Sequence, residues 1–248
     1  MKNIWTIAKK EYDHYFITPV AYIIAFVILF VLGFLFWLII QDAIRNALSG
    51  FTSAPDTTFV NSWFVILLMF SCPALTMRLV AEETKTGTIE LLLTAPIREY
   101  ELVIGKWLGS FLFIFTILVA TLVYPIVLNR LVTPAIDWKL VISSYLGVML
   151  CGAAFLALGV GISALFKNQI AAYFIAFLVC IGLYIFISVP AQFLAQGGDI
   201  FRYLSMGSHF NEAFNIGSVQ LDDILYFLSL IALGIYTGIV AIETRRVN

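Results

Sequence analysis

The sequence predicts an all-α polytopic membrane protein with six transmembrane helices, an interfacial N-terminal helix, a short helix in the loop between spans 2 and 3, and short helices before span 6. Three observations predict it. Hydrophobic residues make up 62% of the 248 and charged residues 12%, whereas a soluble domain is about 45–50% apolar and about 25% charged. Six stretches lack Asp, Glu, Lys and Arg for the roughly 17–25 residues that cross hydrocarbon. Lys and Arg are also divided unevenly between the two faces those six spans define. A soluble enzyme, a disordered tail and a disulfide scaffold are excluded. The net charge of −1 gives no sign of nucleic-acid binding. Cys72, Cys151 and Cys180 each sit in an apolar run and read as packing residues.

Residues 3–17 are amphipathic as a helix. Ile4, Trp5, Ala8, Tyr12, Tyr15 and Phe16 share an arc, and Lys9, Lys10, Asp13 and His14 fall mostly opposite. Glu11 sits awkwardly near the apolar edge. Such a helix lies in the membrane interface until Pro19 opens the first span; a plain basic flank is the simpler alternative. No secretory cleavage pattern precedes this span, so it is expected to be retained.

The spans fall at about 19–41, 57–77, 107–129, 140–166, 168–188 and 224–242. Lys167 alone separates the fourth from the fifth, which demands a tight turn. The fifth apolar run continues to 198, but Pro190 and Gly197-Gly198 break it. Pro73 and Pro125 are expected to kink spans 2 and 3. Ala153, Ala157 and Gly161 give span 4 a small-residue stripe suited to close helix packing. Residues 199–223 are too apolar for a free loop and read as short helices entering the outer leaflet or as a loop hugging the membrane.

With the N-terminus in the cytoplasm, ten Lys and Arg lie inside and four outside (Arg45, Arg130, Lys139 and Arg202). The positive-inside rule therefore places both termini in the cytoplasm of an inner (cell) membrane protein.

Residues 78–106 form the long cytoplasmic loop and hold nine of the 29 charged residues. Gly87 can cap a helix over 88–94, with Glu90 near its positive end. Ile89, Leu92 and Leu93 then share one side, and Pro96 ends the helix. Three exposed aliphatics imply either a protein partner or the membrane surface. Chemistry of the chain's own is not visible. No charge lies inside a span, His14 and His209 fall on opposite faces and cannot share a metal, and no nucleophile elbow is present. The nearest approach to a phosphate-binding loop, Gly105-Lys106, has Tyr100 where the first Gly belongs and Trp107 in place of Ser or Thr. We expect no catalytic residue, no metal and no bound cofactor; if energy is needed, another subunit supplies it.

The stretch AEETKTGTIELLLTAPIREYELVIGK at 81–106 resembles the loop signature of ABC-2 type transporter permeases. It matches at Glu83, Gly87, Thr88, Ile89, Glu90, Leu92, Leu93, Ala95-Pro96-Ile97, Glu101, Leu102, Gly105 and Lys106, departing only where Ala95 precedes the proline. KKEYDHYFITPVAYIIAFVILFVLGFLFW and LDDILYFLSLIALGIYTGIVAIETRR resemble the gliding-motility and multidrug-export branch, so the likeness runs over nearly all of one domain, 1–248. It implies a permease paired with a second permease, identical or related, and with cytoplasmic ATP-binding subunits. The helix at 87–94 would be the coupling helix, with Ile89, Leu92 and Leu93 in a cleft of the ATPase and Glu82, Glu83, Glu90 and Arg98 around it. Spans 1 and 5 would meet across the dimer, with Phe26, Phe30, Tyr173, Phe177 and Tyr184 along the cargo path and the external loop before span 6 as a gate. The implied activity is export of a lipid, polysaccharide or hydrophobic molecule. Membrane lipids and an external accessory protein complete the expected partners. The alternatives are a non-transporting membrane anchor or signalling component, an intramembrane enzyme, and a channel or secondary carrier.

Overall fold

The computed structural model describes residues 2–49, 57–86, 98–131, 135–193 and 198–247, and every regular element among them is helical. In chain order these are α1 (Lys2–Tyr15), α2 (Pro19–Leu48), α3 (Thr58–Thr76), α4 (Ala81–Thr86), α5 (Glu99–Thr121), α6 (Val123–Leu131), α7 (Trp138–Leu165) and α8 (Gln169–Tyr184). A 3₁₀ turn, Phe186–Ser188, leads into α9 (Val189–Phe193), α10 (Gly198–Leu204) and α11 (Met206–Glu212). A second 3₁₀ turn, Phe214–Ile216, precedes α12 (Leu221–Val247). Six stretches are long and apolar enough to cross a membrane. They are α2, α3 with α4, α5 with α6, α7, α8 with its 3₁₀ turn, and α12, referred to below as spans 1 to 6. The protein is an integral membrane protein.

The six predicted spans agree with these stretches in order and number and differ at the ends, while the helix expected over 88–94 lies outside the described residues. Span 1 runs on to Leu48, because Gln41, Asp42 and Arg45 continue the helix past the apolar run. Span 3 is divided at Leu122, three residues before Pro125. Proline supplies no N–H to the carbonyl four residues back. That carbonyl, on Thr121, instead accepts from the Tyr145 hydroxyl at 3.1 Å. The turn between spans 4 and 5 is as short as expected, and the Asn168 side chain caps α8 by accepting from Ile170 N at 2.9 Å. The fifth run breaks into 3₁₀ structure at Phe186–Ser188, and Pro190 then sits in the first turn of α9, where its missing N–H costs no helical bond.

Span 4 is the axis of the bundle. Of its apolar window 78% is buried, against 22% for spans 1 and 5 and 28% for span 6. Small residues explain how so many neighbours reach it. A Cβ on Gly161 would stand 2.5 Å from the carbonyl oxygen of Gly234, and one on Gly234 would stand 2.6 Å from that of Ala157. The small-residue stripe of span 4 thus receives span 6 of the same chain, backbone against backbone.

At the end of the bundle away from α1, the segment between spans 5 and 6 folds back into the protein. Met206, Phe210 and Phe214 are fully buried. The Ser143 hydroxyl donates to Phe214 O at 2.7 Å, and Asn215 Nδ2 donates to Thr58 O and to Ser62 Oγ, each at 3.1 Å. His209 is held between Asp223 Oδ1, 2.7 Å from Nδ1, and Tyr203 O, 2.8 Å from Nε2, with its ring stacked on Tyr226 at 4.1 Å. Arg202 and Glu212 form an exposed pair, in which the carboxylate holds the guanidinium pKa above its ordinary value. Replacing Asp223 by Ala leaves a buried histidine and Gln220 N without their acceptor. We expect a loss of about 2 kcal/mol, read as a lower thermal midpoint in detergent; an unmoved midpoint would refute the structural role of the pair.

Candidate functional site

The other end of the bundle holds the residues that bracket the 87–97 segment, and it is built around α1. That helix lies across the start of α5, and its packing explains Gly105 and Gly109, four residues apart. A Cβ on Gly105 would stand 2.7 Å from Ile7 Cβ, and one on Gly109 would stand 2.7 Å from Glu11 Cβ and 2.8 Å from Ala8 O. Ala8 is fully buried in the seat the two glycines leave. Further along, the Tyr12 hydroxyl lies 3.1 Å from Thr116 Oγ1. The Tyr15 hydroxyl lies 2.9 Å from Ser110 Oγ and donates to Leu75 O at 3.2 Å.

Polar contacts run along the same seam. Glu101 closes the first turn of α5 by accepting from the backbone N–H of Arg98 at 3.2 Å, and it also accepts from Asn3 Nδ2 at 3.1 Å. One turn on, the Lys106 side chain is 3% exposed, and its Nζ donates to Glu11 Oε1 at 2.9 Å and to Glu83 Oε1 at 2.8 Å. A buried ammonium is tolerated here because two carboxylates meet it. The position of Glu11 on the apolar edge of α1 is thereby explained. It faces a cation 95 residues away in sequence.

The arm leading out of span 2 is held from the other side. After Thr76 the helix opens into a turn over 77–80 before α4. Ser163 of span 4 fills the break. Its Oγ accepts from Val80 N at 3.3 Å and Ala81 N at 3.2 Å and donates to Met77 O at 3.3 Å. Span 4 therefore meets the arm through Ser163, while Lys106 of span 3 ties the arm to α1.

The model of the ABC-2 family transporter protein matches residues 5–242. The chain belongs to that family. No curated protein matches it. In this ABC-2 transporter chain, several residues of the loop signature have intramolecular tasks. Glu101, Gly105 and Lys106 seat the N-terminal helix and Glu83 holds Lys106, tasks that sequence reasoning did not assign to them. The available signal was the i, i+4 repeat of Gly105 and Gly109 beside the repeat of Asn3, Ile7 and Glu11.

Of the residues expected to meet an ATPase, Gly87, Thr88, Ile89, Glu90, Leu92, Leu93 and Pro96 lie outside the described residues. Glu82 is exposed at the rim of the arm, and Glu83 turns inward to Lys106. Arg98 stands at the start of α5 with its guanidinium carbon 6.0 Å from the centre of the Tyr100 ring. The five aromatics expected along a cargo path separate into groups. Phe26 and Phe30 stack at 5.7 Å on the outward face of span 1. Tyr173 and Phe177 stack at 6.2 Å on span 5, half-buried, with Phe177 against Phe70 at 4.7 Å. Tyr184 points into the bundle, edge-on to Phe155, with its hydroxyl 3.5 Å from Asn211 Nδ2.

Among the described residues no group of three or more His, Cys, Asp and Glu could hold a metal ion.

Proposed function

We propose that the chain is the permease subunit of an ABC-2 exporter, working as a pair with an identical or related permease and driven by a separate cytoplasmic ATP-binding subunit that carries ATP and Mg. Both termini and the 78–106 segment face the cytoplasm, consistent with the ten-to-four division of Lys and Arg. Its cargo is a lipid, a polysaccharide or a hydrophobic molecule. The observation that carries this reading, beside the family, is the bracing of the 87–97 segment at both ends. Glu83 precedes the segment and Lys106 follows it; they pair with each other, and Lys106 also pairs with Glu11 of α1. A displacement of the segment by ATP-driven closure would therefore pass into spans 2 and 3 and the N-terminal helix together.

Ile89, Leu92 and Leu93 are the residues assigned to the cleft of the ATP-binding subunit, with Glu82, Glu90 and Arg98 around them. The poorly buried faces of spans 1 and 5 meet the second permease, with Phe26, Phe30, Tyr173 and Phe177 near the seam.

The test is the Leu92→Asp, Leu93→Asp double variant. Two carboxylates cannot enter an apolar cleft unpaired. Co-purification with the ATP-binding subunit and cargo transport in proteoliposomes should both be lost, while helical circular dichroism stays as in the parent. Retained binding with cargo-stimulated ATP hydrolysis would refute the coupling assignment.

A further inference from the structure

We propose that the cleft between α1 and the arm holds one zwitterionic phospholipid of the cytoplasmic leaflet, bound as a resident of that cleft and not as cargo. The cleft encloses about 500 Å³, within the range of small-molecule sites. Its floor is apolar and comes from the ends of two spans beside α1, Val20 and Ala21 of span 1 and Ala74, Leu75 and Leu79 of span 2. Its rims are polar. Lys10 and His14, one turn apart, line the α1 side, and Arg78 and Glu82, also one turn apart, line the arm. An apolar floor at the edge of the hydrocarbon beneath a charged rim is the polarity profile of a glycerophospholipid, which reaches such a cleft laterally from the bilayer.

The charges decide the headgroup. The cleft is lined by three permanent cations (Lys10, Arg78, Lys106) and three carboxylates (Glu11, Glu82, Glu83), with His14 beside them. Lys106 is already held by Glu11 and Glu83. Lys10, His14, Arg78 and Glu82 form no side-chain ion pair among the described residues. What remains open is a cationic side for a phosphate and one carboxylate for an ammonium. Phosphatidylethanolamine supplies both. A purely anionic head would leave Glu82 facing a like charge. Seated there, the lipid touches α1, the start of span 1 and the arm at once, beside the Lys106 pairs that join them.

Native mass spectrometry of the full-length protein in detergent tests this. It is titrated in separate arms with dioleoylphosphatidylethanolamine, dioleoylphosphatidylglycerol and inorganic phosphate. One phosphatidylethanolamine per chain should be retained. The Lys10→Ala, Arg78→Ala double variant should weaken retention about tenfold, since two charge-assisted contacts are lost. The control Lys9→Ala, Lys85→Ala removes the same charge from outside the cleft and should leave retention unchanged. Ala74→Trp, which fills the floor but keeps the cations, should exclude the lipid. Equal retention in the double variant and the control overturns the proposal, as does tighter binding of phosphatidylglycerol or of phosphate alone. A cleft that takes no lipid but becomes protected by the ATP-binding subunit belongs to that protein and overturns it too. Neither transport nor the ATP-binding subunit is needed for the lipid readout, so its failure is separable from failure of the permease assignment.

Discussion

Replacing Lys106 by methionine is expected to lower the stability of the folded protein by about 3 kcal/mol and to release the N-terminal helix. Methionine keeps the side-chain volume but leaves Glu11 and Glu83 facing one another without the cation that both now contact, at 2.9 and 2.8 Å. Removing one partner of a buried ionic cluster typically costs about 3–5 kcal/mol, because the remaining charges are left uncompensated. The lower end applies here, since the two carboxylates are partly exposed. Hydrogen–deuterium exchange in 2–15 should rise together with the fall in thermal midpoint, as Glu11 loses its hold on α5. Adding Glu11→Gln and Glu83→Gln to Lys106→Met should recover most of the loss, because no unpaired charge then remains. Unchanged exchange in 2–15 would show that Gly105 and Gly109 packing alone holds the helix. Failure of the triple variant to recover would show that the lysine acts through something other than its charge.

Gly234→Leu is expected to dislodge span 6 from span 4. Any Cβ at this position would stand 2.6 Å from the Ala157 carbonyl oxygen and 2.6 Å from Leu158 N. Both are backbone atoms of the most buried span, so neither can rotate aside as a side chain would. Overpacking a filled core costs about 1–3 kcal/mol. Gly234→Ala is therefore expected inside that range and Gly234→Leu at or beyond its top. Gly182 provides the control, because a Cβ there meets nothing within 4 Å. Thermal midpoints in detergent should fall in the order Gly182→Ala, Gly234→Ala, Gly234→Leu. Equal midpoints for the two alanine variants would mean that the close crossing of spans 4 and 6 is not what the glycine serves.

Much of the fold was legible because the bilayer imposes it locally. A run free of charge and long enough to cross hydrocarbon must be helical to satisfy its own backbone, so the six spans could be placed from sequence. Prolines and the Lys167 turn set their approximate ends for the same local reason. The candidate site was legible only in part. The signature at 81–106 marked the segment and the family, but it did not say that Glu83, Glu101, Gly105 and Lys106 look inward. Glu101, Gly105 and Lys106 meet Asn3, Ile7 and Glu11 about a hundred positions earlier, and Glu83 meets Lys106 across the segment; composition in a window carries no information about such pairings. Tyr184 shows the same limit. The sequence groups it with four other aromatics, and only the fold sets it edge-on to Phe155 of span 4 and 3.5 Å from Asn211 of α11.

By itself the sequence determined that this chain spans a membrane six times, that its scarce charge is gathered near the ends of the spans, and that one segment carries the ABC-2 signature. These follow from hydrophobic run length and charge placement, which act residue by residue. The tertiary structure alone decided which small residues face each other, which makes span 4 the axis and gives α1 its seat. It also decided that Glu11, awkward on an apolar edge, is a ligand for Lys106. Close backbone approach and the pairing of buried charges are properties of two segments together, and they exist only once the chain has brought those segments into contact.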